Sequence, residues 1–217
     1  GVIDYMQGIG AVSHEHNVWM HVDGAYGGAG LAAPSIRDAF NGIEMAHSFI
    51  VDPHKWLFAP FDCCALIYQE PSLAREAHQQ QGAYLEVVYD GVWNVSDYAH
   101  HLSRRARGLP LWFSLATHGT KAYADAVEQT LTVAKEAAVC IERHPELELV
   151  AEQNLSICVF RRKGWLADDY AQWSDHQLQT GQSFVTPTKH NGETVLRFCI
   201  VNPRTTVQHI EEILASL

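Results

Sequence analysis

The stretch Ser48-Phe-Ile-Val-Asp-Pro-His-Lys-Trp-Leu57 restricts the fold more than any other part of the chain. Its apolar, β-branched run reads as a buried strand. Asp52-Pro53 ends that strand, and a histidine and a lysine then stand side by side at its tip. Burial disfavours an ammonium, so a lysine delivered to such a place is a candidate amine nucleophile of the Schiff-base type. Upstream, Trp19-Met-His-Val-Asp23 reads as a second strand, followed by the loop Gly24-Ala-Tyr-Gly-Gly28. A carboxylate, Asp23, therefore stands at a second strand tip. Taken alone, Asp23 before Gly24 is equally a turn-capping residue, and Lys55 alone is equally a surface lysine at a loop tip.

The bulk numbers narrow the class of protein. A chain of 217 residues holds one large or two small domains. Its net charge of −10 argues against a nucleic-acid partner, and Arg104-Arg105-Ala-Arg107 is too short a basic cluster to reverse that. No apolar run reaches the ~18–20 residues that span a bilayer. Residues 1–20 lack the basic start of an export signal. Cys63, Cys64, Cys140, Cys158 and Cys199 are odd in number and have no metal-like spacing. They read as reduced, mostly buried thiols of a cytoplasmic protein. Cys63 and Cys64, adjacent in a strand pattern, should face opposite ways.

Along the chain, Asp4–Asn17 reads as a helix that Asp4 could cap, with Gly8 and Gly10 weakening it. Strands are expected over Val18–Asp23, Ser48–Asp52 and Cys63–Tyr68, and helices over Pro34–Phe40 and Pro71–His78. Helix-then-apolar-strand alternation implies a parallel sheet, whose ligands collect at the strands' carboxyl ends. Residues 79–98 carry neither period and read as a long functional loop. From Gly119 to Arg143 small and apolar residues recur at helical spacing. Beyond them the pattern is strand 147–151, strand 155–160, helix 167–180, strand 183–188, strand 194–201 and helix 205–216. The expected organisation is thus 1–118 as part of a large domain and 119–217 as a small α+β domain. His14-Glu15-His16 suggests a metal site, but i, i+2 residues on a helix do not face one another.

Two motifs in order, His21-Val-Asp23-Gly-Ala25-Tyr-Gly-Gly and Asp52-Pro-His54-Lys55-Trp, resemble the group II pyridoxal-phosphate (PLP) amino-acid decarboxylases. The resemblance covers the C-terminal half of such an enzyme, so the chain is expected to be a fragment. It implies an α/β fold of type I, aspartate-aminotransferase-like: part of a large, mostly parallel sheet domain with a small C-terminal α+β domain. It also implies that Lys55 carries the cofactor, that Asp23 pairs with the pyridinium nitrogen, and that Ala25 lies against a ring face. His54 would lend a donor toward the cofactor phosphate or the substrate carboxylate. Gly82-Ala-Tyr84-Leu85 matches the family's mobile loop, whose tyrosine reaches the partner subunit's site and protonates the carbanion carbon. In relatives with Phe there, the chemistry diverts to aldehyde. A homodimer with a shared active site follows. The post-loop arginines are expected to be mostly structural.

The substrate class suggested is an L-amino acid, aromatic by the look of the first motif and Phe61-Asp-Cys. Two alternatives stand beside it. One is another fold type I enzyme, an aminotransferase or carbon–sulfur lyase. The other is a catalytically incompetent fragment, since the phosphate-binding helix terminus and ring-stacking aromatic belong to the other half.

Overall fold

The computed structural model describes residues 1–80 and 93–217. Helix α1 (Met6–Glu15) leads into strand β1 (His21–Asp23), strand β2 (Ser48–Val51), the single-turn helix α2 (Pro53–Trp56), strand β3 (Ala65–Tyr68) and helix α3 (Pro71–His78). Strand β1 pairs parallel to β2, with Asp23 opposite Ile50. Strand β3 pairs antiparallel to β2, with Ala65 opposite Val51. Among the described residues the chain contributes one parallel and one antiparallel pairing to this sheet. The chain reverses direction through the loop after α2, where Phe58 and Asp62 adopt positive φ, and returns directly beside β2 without a helical crossover.

The remaining expectations shift in detail. Helix α1 begins at Met6 with Tyr5 as its cap and no side-chain cap bond, so Asp4 does not cap it. Pro34–Phe40 winds as a 3₁₀ helix; a seven-residue segment is too short to repay an α-helical nucleus unaided. Cys63 is buried and Cys64 exposed, as neighbours along an extended chain should be.

Helix α4 runs from Gly108 to Arg143, eleven residues earlier at its start than the periodicity placed it, and is broken at Gly119. There φ 76°, ψ 160° is a conformation open essentially to glycine alone. Tyr123 donates its hydroxyl to Ser114 Oγ (2.6 Å) across the break, fixing the angle between the two segments.

Strands β4 (Leu147–Leu149), β5 (Ile157–Arg162), β6 (Pro187–His190) and β7 (Glu193–Cys199) form an antiparallel sheet in the order β4-β5-β7-β6. Helix α5 (Ala167–Thr180) has the predicted bounds, while α6 (Val207–Leu214) is shorter than expected. The strand expected at 183–188 forms at 187–190 instead: Ser183 is held back by the end of α5, donating its amide to the Gln177 carbonyl and its hydroxyl to Gln177 Oε1.

One core cluster packs Phe160, Leu196 and Phe198 against Ala137, Ile141, Trp173 and Ile210. A second joins Ala29, Ala33 and Trp56 to Val127 and Leu131 of α4 and to Leu155. This second cluster fixes the lysine-bearing turn against the long helix.

Candidate functional site

The parallel pairing of β1 and β2 brings Asp23 and the Asp52–Lys55 turn to the same sheet edge, their carboxyl ends. Gly24 can follow Asp23 because a Cβ there would lie 2.4 Å from the Phe49 ring and 2.8 Å from the Ile50 carbonyl. Gly28 meets the same ring at 2.5 Å. The loop can thus run close over β2, and Ala25 accepts the Asp52 amide through its carbonyl at 2.9 Å. Pro53 opens α2 at the position where its missing N–H costs nothing. The Lys55 amide closes the turn on the Asp52 carbonyl at 2.9 Å.

Asp23 is exposed, and its Oδ1 accepts the Ala25 amide at 3.0 Å. The turn-capping role is therefore real, and it uses one of the two carboxylate oxygens. Ala25 is half-buried. His54 bonds through Nδ1 to the Cys63 carbonyl at 2.6 Å. A carbonyl only accepts, so Nδ1 carries the proton, and in the neutral ring Nε2 is left as an acceptor. The expected donor role for His54 thus falls to Nε2 of the imidazolium. Phe61 approaches the ring edge-on at 5.0 Å.

Lys55 is exposed, and its Nζ lies 2.7 Å from Asp52 Oδ2. Sequence reasoning passed over this contact of Asp52, although an acid and a lysine three apart across a helix start could have flagged it. Burial acts to raise its carboxyl, but hydrogen bonds from Lys55 and the Cys64 thiol, with the charges of Lys55 and His54, hold it below the usual range. Cys64 responds oppositely. Partial burial first, then its bond to Asp52 and that group's charge, push the thiol up to about 11.

Trp56, completely buried, donates its indole N–H to Thr130 Oγ1 at 2.8 Å and stacks on Tyr26 at 4.9 Å. Tyr26 in turn bonds Ser156 Oγ and receives the Ser156 amide at 3.1 Å. Thus the residue after Lys55 is tied to α4, and the loop after Asp23 to the second sheet. No local pattern announces either contact.

Tyr84 lies outside the described residues. The post-loop arginines bind protein groups: Arg105 and Arg107 pair with Asp62, and Arg104 donates to the Val95 carbonyl. Through Asp62, Arg105 and Arg107 hold the loop that carries Phe61. His14 bonds the Met45 carbonyl at 3.1 Å and stacks on His47, away from Lys55.

Comparison with known proteins gives the chemistry its context. A family model described as the pyridoxal-dependent decarboxylase conserved domain matches residues 1–163. The aromatic-L-amino-acid decarboxylase of Sus scrofa is 30% identical over 211 residues, 95% of this chain and 43% of that protein. The 3,4-dihydroxyphenylacetaldehyde synthase of Aedes aegypti is 31% identical over 201 residues, 91% of this chain and 38% of that protein. A crystal structure of Catharanthus roseus tryptophan decarboxylase in complex with L-tryptophan matches with a TM-score of 0.81 at 25% identity, covering 97% of this chain and 44% of that one. The chain thus spans less than half the length of these relatives. Its fold is that of the fold type I PLP enzymes, and the family's cofactor is pyridoxal phosphate. By the family model that covers most of its length, the chain belongs to the pyridoxal-dependent decarboxylases.

Proposed function

We propose that this chain supplies the cofactor-anchoring lysine and the ring-nitrogen acid of an enzyme that decarboxylates an L-amino acid, aromatic by preference, to its amine and CO₂. The observation that carries the reading is the meeting of Lys55 and Asp23 at one edge of two parallel strands. The donor set fits a pyridoxal group: an exposed primary amine for the aldehyde, and a carboxylate with one oxygen uncommitted to its own turn. When bound, pyridoxal phosphate supplies an electron sink for the pair left behind as CO₂ departs.

The residues of this chain serve that chemistry in distinct ways. Lys55 would hold the cofactor's aldehyde through its amine. Asp23 keeps the ring nitrogen protonated through an opposite charge at close range. Ala25 leaves room for the ring face, and His54, through Nε2, turns a proton toward an anionic group of cofactor or substrate. Tyr84 gives the proton to Cα, from a loop that serves the partner subunit of a homodimer. The break at Gly119 supports a division into a large-domain part, 1–118, and a small domain, 119–217. A cytoplasmic setting fits five cysteines that are all free thiols. No described helix is long and apolar enough to cross a membrane.

The aldehyde synthase among the relatives favours a second reading, oxidative release of an aldehyde. Product analysis on the polypeptide that carries this sequence separates the two. With an aromatic L-amino acid the expected products are amine and CO₂ in equal amounts. Tyr84→Phe is expected to keep the cofactor and to turn the product to aldehyde. A keto acid product would instead mark an aminotransferase and overturn the proposal.

A further inference from the structure

The two members of the Lys55–Asp52 pair are held very differently. The lysine side chain is 43% exposed and the aspartate side chain 14%. Asp52 is fixed through its backbone: its amide bonds the Ala25 carbonyl and its carbonyl takes the Lys55 amide. An ion pair between two freely rotating side chains gains little, because both must be ordered. Here one partner is already in place, so only the lysine is ordered by the pairing.

We propose that Asp52 is the positioning residue of the Lys55 amine. It holds the nitrogen as an ammonium at the strand tip and yields it only when another group takes that nitrogen. This rests on Lys55 being the amine that meets an aldehyde, and it adds what keeps that amine in place beforehand. The titratable groups facing Asp52 are Lys55 and His54 from its own turn and Cys63 and Cys64 from the loop just before β3. Of these, Lys55 is the one in ion-pair contact.

The test is trace acetylation with acetic anhydride over a pH series, read at the Lys55 peptide by mass spectrometry with exposed Lys135 as the internal reference. Asp52→Asn keeps the shape and removes the charge. It is expected to raise Lys55 acetylation relative to Lys135 by about two- to three-fold at each fixed pH, because the carboxylate no longer engages the amine, with allowance for solvent screening. Lys135 should not move, and Asp52→Glu should stay near the wild type. An Asp52 that merely supports the fold would change the melting temperature or the labelling of many lysines together, with the Lys55-to-Lys135 labelling ratio where it was. That outcome overturns the proposal. If the Asn variant does not fold, the wild type serves alone: raising the salt concentration should raise Lys55 acetylation relative to Lys135, and a ratio indifferent to salt contradicts the pairing. Acetylation involves no pyridoxal phosphate, so a negative result here leaves the cofactor reading standing to its own test.

Discussion

The two sheets of this molecule are built to different standards of closure. The four-stranded sheet buries Phe160, Leu196 and Phe198 under α4, α5 and α6 and closes its own core. The three-stranded sheet leaves much apolar surface in view. Leu66 and Ile67 of β3 are 44% and 54% exposed, and a groove of about 720 Å³ along α1 is lined by Tyr5, Ile9, Val12 and Trp19. The candidate site lies on the open sheet. What holds it there comes from the closed half, through Trp56 on Thr130 and Tyr26 on Ser156. The arrangement separates two tasks: one region stabilises, and the other presents residues at an edge that further protein or a ligand can cover.

The contrast predicts unequal costs for similar truncations. Phe160→Ala should cost about 3–5 kcal/mol in denaturant unfolding, because the ring is fully enclosed. Ile67→Ala, on the half-exposed strand, should cost less than about 1 kcal/mol. Equal losses would break the comparison. The ties between the halves come next. Trp56→Phe removes the bond to Thr130 and part of a filled volume, and should cost about 2–3 kcal/mol. A loss no larger than that of Ile67→Ala would mean the tie carries no strain between the two regions.

A further effect concerns alkaline pH. Burial, opposed in part by its bonds to Ser156, pushes the Tyr26 phenol up to about 12. The folded chain therefore keeps this proton more tightly than the unfolded one. The stability it contributes is complete below about pH 10 and is lost as pH rises toward 12, up to about 2 kcal/mol. Tyr26→Phe should flatten that part of the pH–stability curve; an unaltered slope would remove Tyr26 from the tie.

Much of the fold was legible where local signals agree. Helix α5 could be read to the residue because Asp168 and Asp169 sit in its first turn and Gly181 takes the left-handed conformation past its end. The strand ending at Asp52-Pro53 was equally clear. What local pattern could not supply was long-range pairing: the antiparallel return of β3, and the reach from Trp56 to Thr130 across 74 positions. At the site, Lys55, His54, Asp23 and Ala25 were named from sequence and do gather near one sheet edge. The Asp52 partnership escaped notice because the acid reads first as the end of a strand. The Nδ1 bond of His54 depends on a carbonyl nine residues on, delivered by a loop with two positive-φ residues. Such a loop has no periodicity to read.

The central claim is that Lys55 is the cofactor's amine. Incubating the chain with pyridoxal phosphate, reducing with borohydride and mapping the product by mass spectrometry tests it most directly. The account predicts one pyridoxyl group, on Lys55, absent from Lys55→Ala. Label spread over several lysines, with Lys55 marked no more than the rest, would contradict it.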